Sequence, residues 1–305
     1  GQSVDLERFR AQHGPAVLRS FLDLLSLRNV AGEPGHLRAN CAWIRSAFER
    51  RGMHTEVWRA AGDPDAAPAV YAALDVGAER TVGLYAHYDG QPTDASAWTV
   101  GPWSPAVFTD RIDRGGKRLQ TPGDGETLDD DWRVYARSAA DDKAPIVALL
   151  AALDALELSG AKPALNLRVF IEGEEEVGSP SLVPWVEANQ QRLACDAVII
   201  SDSSMYDKGI PSIMYALRGL AYFEVKVTGP SHDLHSGLFG GAVPNPINVL
   251  ADLIASFHDA DGRIAIEGFY DDVRDLTDDE RAEFAALPFS EDAFLAETGA
   301  KGTQG

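Results

Sequence analysis

Cysteine is scarce. Cys41 and Cys195 are the only two in 305 residues, too few for a disulfide framework and too far apart in sequence to resemble a zinc clip. Such usage fits a reducing cytoplasm. Long apolar runs are also missing: no uncharged stretch approaches membrane-spanning length, and residues 1–5 lack the basic stretch and apolar segment of a secretory signal. A membrane is therefore not an expected partner. Basic residues are in deficit as well, with 27 Lys and Arg against 47 Asp and Glu, a net charge of −20. A nucleic-acid backbone or an anionic lipid surface is a poor partner for that field. Much of the acid excess sits in the runs 129–131 and 271–280, which read as solvated faces that aid solubility.

What is present describes a globular chain able to bury a substantial core, with 45% hydrophobic and 24% charged residues. The length favours two domains. Apolar spacing over 5–27 suggests two abutting helices broken at Gly14-Pro15, and a further helix runs over 41–51 to Gly52. Short β-rich stretches follow at 55–59, 69–74 and 81–86. Residues 90–137 are rich in Gly, Pro, Asp and Trp and read as a long irregular, functional stretch. Then come a helix (144–158), a strand (165–171), a helix (181–193) and a strand (197–200). This alternation predicts an α/β fold: a mixed, mostly parallel sheet flanked by helices, with its site beyond the carboxyl ends of the strands. After Arg218-Gly219 the character changes to an alternating strand over 220–228, a glycine-rich segment and a helix over 246–257. The expected division is a domain of residues 1–215 and a smaller α+β domain of 216–305.

Four strand exits carry chemistry-bearing side chains: His87 and Asp89; Asp141; Glu174, Glu175 and Glu176; and Asp202. Each is weak alone. His-x-Asp is usually a hydrogen-bonded loop histidine, Asp141-Asp142-Lys143 reads as a helix start with acids on the N-terminal dipole, a glutamate run is usually surface, and Asp202 could cap a turn. Together, each at a predicted strand exit, they are the donor set of a zinc site, imidazole nitrogen plus carboxylate oxygen. In His-x-Asp the carboxylate can accept the imidazole's second N–H and fix the tautomer that offers the other nitrogen to a metal.

These residues resemble the dinuclear zinc peptidases and deacylases of the peptidase M20 family. The resemblance lies in 85–89 (Tyr-Ala-His-Tyr-Asp), 136–143 (Ala-Arg-Ser-Ala-Ala-Asp-Asp-Lys), 172–179, Ser201-Asp202 and 233–237 (Asp-Leu-His-Ser-Gly). Residues 237–241 and 270–273 look most like the dipeptidase branch. The resemblance implies a zinc-exopeptidase-like catalytic domain with a lid and dimerisation domain. His87 and Asp202 would hold one zinc, Glu176 would help hold the other, and Asp141 would bridge both. Glu175 would be the general base, Asp89 would orient His87, and His235 would reach the partner subunit's site and stabilise the oxyanion. A shift of one residue among Glu174, Glu175 and Glu176 stays open. A cis peptide at Asp141–Asp142 is a further family feature.

The implied activity is that of a zinc metallopeptidase: hydrolysis of the amide bond of dipeptides or short peptides, carboxypeptidase-like in kind, by a water bridging two Zn2+, with Co2+ or Mn2+ as substitutes. The implied assembly is a homodimer through 216–305. Deacylation of N-acyl amino acids is the alternative with the same fold and metals, and a catalytically impaired fragment or non-catalytic scaffold is a third reading. The pattern departs from the family at its end. The histidine that normally completes the second zinc lies after the second domain, and no histidine follows His258. The expectation is that a C-terminal segment is missing, and that the 305 residues are inactive or impaired without it.

Overall fold

The computed structural model describes residues 4–303; residues 1–3, part of the segment in which no leader is read, and 304–305 lie outside the described residues. The chain divides into two compact units, Gly1–Tyr215 and Ala216–Gly305. The first contains α1 (Leu6–Leu25), α2 (Pro34–Glu49), β1 (His54–Trp58), β2 (Ala69–Leu74), β3 (Thr81–His87), β4 (Ala106–Phe108), β5 (Arg118–Leu119) and β6 (Arg133–Tyr135). It continues with α3 (Lys143–Leu158), β7 (Asn166–Glu172), α4 (Leu182–Ala188), α5 (Gln190–Leu193) and β8 (Ala197–Ile200).

Five strands form one mixed sheet in the order β1-β2-β7-β3-β8. β3 is parallel to both β7 and β8, while β2 is antiparallel to β1 and β7, so only β2 opposes the common direction. The alternation of side chains along a strand sorts the sheet's apolar residues onto two faces. Val70, Ala72, Val169 and Ile171 join Leu37, Ile44, Phe48, Ile146 and Leu150 in the main core under α2 and α3. Their neighbours Tyr71 and Phe170 face the other way, with Trp58 and Trp185. There Trp58 stacks on Tyr71 with centroids 4.9 Å apart, and Phe170 meets Trp185 edge-on at 6.1 Å.

The parallel register sets the site. His87 at the end of β3 is level with Glu172 at the end of β7, and Tyr85 with Ile200. The residues that follow each strand therefore emerge at one edge of the sheet.

Several elements differ from the sequence expectation. The first helix is continuous through Pro15. Proline inside a helix removes one hydrogen bond and crowds the preceding turn; packing overrides that here, because Val17, Phe21 and Leu24 reach the main core and a Cβ on Gly14 would stand 3.1 Å from Leu128. α2 begins earlier than expected, with Pro34 in its first turn, a position where proline's missing N–H costs nothing. Residues 90–137 are not wholly irregular, since β5-β4-β6 form a small antiparallel sheet there. The helix expected over 181–193 breaks into α4 and α5 at Asn189.

The second unit contains α6 (Ser236–Phe239), α7 (Pro246–Ala255), α8 (Asp278–Ala285) and α9 (Glu291–Thr298). The strand expected over 220–228 does not form: a strand needs a hydrogen-bonded partner, and among the described residues of this unit no segment pairs with it. The acidic run instead feeds α8, where Thr277 and Glu280 make a capping box and Asp278 and Asp279 sit in the first turn. Among the described residues no helix is long and apolar enough to cross a membrane.

Candidate metal centre

His87 is fully buried at the end of β3. Its Nδ1 faces Asp89, 3.1 Å from the backbone carbonyl and 3.2 Å from the carboxylate. Two acceptors on that side assign the proton to Nδ1, leaving the lone pair on Nε2. Nε2 has no hydrogen-bond partner. It points among three carboxylates, 2.9 Å from Asp141 Oδ1, 3.6 Å from Asp202 Oδ2 and 3.7 Å from Glu175 Oε2. A buried acceptor nitrogen beside three anionic oxygens is a costly arrangement unless a cation joins it. The imidazole shows the same demand. Burial pushes its pKa down, but the Asp89 hydrogen bond and the charges of Asp89, Asp142 and Asp202 outweigh burial and carry it up to about 10.

Two sets of donor atoms close enough to share an ion contain His87, one with Asp141 and Asp202, the other with Glu175 and Glu176. The structure thus brings His87, Asp141, Asp202, Glu175 and Glu176 together, with Glu176 grouped beside Glu175 rather than Asp141. The residues fit divalent-metal ligation by donor chemistry: one imidazole with its second nitrogen held, and carboxylates from three other segments. Glu174 is buried and turned away, accepting the Ser181 N–H at 3.1 Å. His235 lies in the second unit, exposed, where its Nδ1 accepts the Gly237 N–H at 3.0 Å and caps α6.

The turn bearing Glu175 and Glu176 is held from behind. Asp89 accepts the Glu175 N–H at 3.2 Å and the Glu176 N–H at 2.9 Å, one on each carboxylate oxygen. Gln91 donates to Glu176 Oε2 at 2.6 Å. The Glu175 carboxyl is raised above its ordinary pKa by partial burial and by Glu176, Asp202 and Asp89, against the opposing pull of His87.

Sequence reasoning gave no role to Glu172. It is fully buried, accepts from Tyr85 Oη and from Ser179 Oγ (2.7 Å), and leaves Oε2 without a partner. Its signal was an acid as the last residue of an apolar strand. Asp141 and Asp142 are joined by a cis peptide. Asp142 accepts the His87 N–H at 3.1 Å, and burial, with the charges of Asp202 and Asp141, pushes its carboxyl up to about 7 despite the opposing effect of His87.

Imidazole and carboxylate donors gathered at the carboxyl edge of a mixed α/β sheet make a candidate divalent-metal site on an α/β domain. Residues 83–287 match the model of peptidase family M20/M25/M40, and the chain belongs to that family. Among curated proteins it is 34% identical over 225 residues to the Cys-Gly metallodipeptidase of Saccharomyces cerevisiae, a match covering 73% of this chain and 43% of that protein. It is 33% identical over 210 residues to human Beta-Ala-His dipeptidase, covering 68% and 37%. The chain therefore spans less than half the length of these relatives. Among solved structures, the M20 family metallo-carboxypeptidase Sso-CP2 of Sulfolobus solfataricus superposes with a TM-score of 0.70 at 28% identity, covering 95% of this chain and 60% of that one.

Proposed function

We propose that this chain carries the metal-binding core of a metallodipeptidase that hydrolyses the amide bond of dipeptides or short peptides. The observation that carries the reading is the buried His87 Nε2, unpartnered and faced by Asp141, Asp202 and Glu175. Relatives named as metallodipeptidases support the substrate class. In this reading His87 and Asp202 would hold one zinc, Glu176 would help to hold a second, and Asp141 would serve both. Two divalent ions, when bound, lower the pKa of water toward neutrality and polarise the scissile carbonyl.

The chain's own residues supply the rest. Asp89 keeps the His87 proton on Nδ1 and the Glu175-Glu176 turn in place. Glu175, its carboxyl raised toward the working range of a base, takes a proton from the attacking water and returns it to the departing amine. Residues 216–305 act as lid and dimerisation domain, with His235 reaching the partner subunit's site to stabilise the oxyanion. A cytoplasmic location is part of the same reading, resting on the scarcity of cysteine in the sequence.

The test is hydrolysis of dipeptides against N-acetyl and N-succinyl amino acids with added zinc. The chain is assayed alone and co-expressed with a segment supplying the part of the relatives' length that it does not span. Zinc-dependent cleavage of dipeptides, lost in Glu175→Gln, is the expected result. Preference for N-acyl amino acids would replace the dipeptidase with a deacylase. Cleavage of neither class by zinc-loaded protein would leave a scaffold.

A further inference from the structure

The metal donors rest on a connector to which none of them belongs. Residues 26–33 join α1 to α2, and Asn29 in their midst is fully buried. A buried amide must find partners for its donors and its acceptor oxygen, and Asn29 draws them from three separate segments. Nδ2 donates to the Tyr88 carbonyl at 2.7 Å and to Ser138 Oγ at 2.9 Å, while Oδ1 accepts from Trp103 Nε1 at 2.9 Å. The main chain adds to the joint: Gly90 N donates to Asn29 O at 2.8 Å, and Ala31 N to Gly90 O at 2.9 Å.

Two of these segments carry ligands. Tyr88 lies between His87 and Asp89. Ser138 closes the turn that bears Asp141, since its carbonyl accepts from Lys143 N at 3.1 Å. Lys143 then reaches back to the end of α1 and into the same connector, its buried Nζ donating to Leu24 O at 2.8 Å and Leu27 O at 2.9 Å. The joint is tight enough to demand glycine at 90, where a Cβ would stand 2.5 Å from Ser138 Oγ and 3.1 Å from Asn29 Nδ2.

We propose that Asn29 is a positioning residue: by fastening the exit of β3 and the turn 138–143 to one connector, it sets the spacing of His87 and Asp141 and thereby the affinity of the site for its metal. The inference rests on the metal-centre reading above. A purely structural Asn29 would contribute to folding and leave metal affinity alone, and this difference is measurable.

Zinc affinity by competition with a chromophoric chelator, the visible spectrum of the cobalt-loaded protein and urea stability of the metal-free protein would be compared for wild type, Asn29→Ala, Ser138→Gly, Gly90→Ala and the Asn29→Ala/Ser138→Gly double variant. Ser138 has φ 62°, so glycine removes the hydroxyl without backbone strain, and this variant carries the test if Asn29→Ala fails to fold. Asn166→Ala is the control: that amide bonds Val76, Ala78 and Thr81 at the opposite end of the sheet.

The expected result is zinc binding weakened by about 10–100-fold in each of the three single variants, with an altered cobalt spectrum. The double variant should be no weaker than the worse single one, because both remove the same link. Asn166→Ala should keep wild-type affinity and spectrum whatever its stability. Wild-type affinity in Asn29→Ala and Ser138→Gly, or equal weakening in Asn166→Ala, would overturn the inference alone. Failure of the wild type to take up metal would overturn the metal-centre reading and this inference with it.

Discussion

The two oxygens of Asp89 accept the backbone N–H groups of Glu175 and Glu176, and the same residue faces His87 Nδ1. One buried carboxylate thus couples the imidazole on β3 to the glutamates that follow β7. Asparagine at this position offers one acceptor oxygen instead of two and turns an N–H donor toward another donor. Asp89→Asn is expected to weaken zinc binding by about 10–100-fold, measured by chelator competition. Unchanged affinity would mean that the glutamate turn holds itself. The residue scale also shows what was legible in sequence. His87, Glu175, Glu176 and Asp202 stand out in sequence as acids and one imidazole after strands, and Asp141 as an acid before a helix start; the structure gathers these five side chains. Asn29 and Glu172 could not be assigned roles, because neither residue type nor spacing records the partners their side chains find: Tyr88, Trp103 and Ser138 for the first, Tyr85 and Ser179 for the second.

The elements were read best where a short run of apolar and β-branched residues lies between turns. β2 and β8 coincide with the expected bounds, β3 is one residue longer, and β1 and β7 are shifted by one residue. β4, β5 and β6 are two or three residues long, too short for any period to show, and α1 runs through a proline because its packing outweighs a local break. Two predictions belong at this scale. Ile171 on the central strand β7 is almost fully buried in the main core, so Ile171→Ala should cost about 2–5 kcal/mol in urea unfolding; a loss under 1 kcal/mol would contradict the packing described. Glu56 on β1 bonds Arg192 on α5 and, at 3.0 Å, Trp58 Nε1. The Arg192 hydrogen bond foremost, then that of Trp58, lowers its carboxyl from 4.5 to about 2. A depressed acid stabilises the fold above its unfolded pKa and loses that contribution as pH falls through the folded one. Wild-type stability should therefore decline between about pH 4.5 and pH 2 more steeply than that of Glu56→Gln, as followed by circular dichroism. Parallel acid profiles would remove the pair from the account.

For the whole molecule, a charge of −20 and a knot of acids around one imidazole make the metal-free protein self-repelling at its own site. A cation that binds the folded chain and not the unfolded one raises stability by mass action, by about 2.7 kcal/mol at a hundredfold excess over its dissociation constant. Zinc should raise the midpoint of thermal unfolding of the wild type and do so far less in His87→Ala; an equal rise in both would place the ion elsewhere. The two units, Gly1–Tyr215 and Ala216–Gly305, differ in what sequence could say of them. The first is ordered by a sheet whose strands announce themselves. The stretch 220–228 alternates just as clearly yet has no pairing partner among the described residues, so its pattern did not become a strand.

The most direct test of the metal centre is an anomalous-difference map from zinc-soaked crystals of this protein, recorded at the zinc edge. The expected result is a peak about 2.0–2.2 Å from His87 Nε2, with oxygens of Asp141 and Asp202 also within ligand distance. A map with no peak at His87, while zinc is bound elsewhere on the chain, would contradict it.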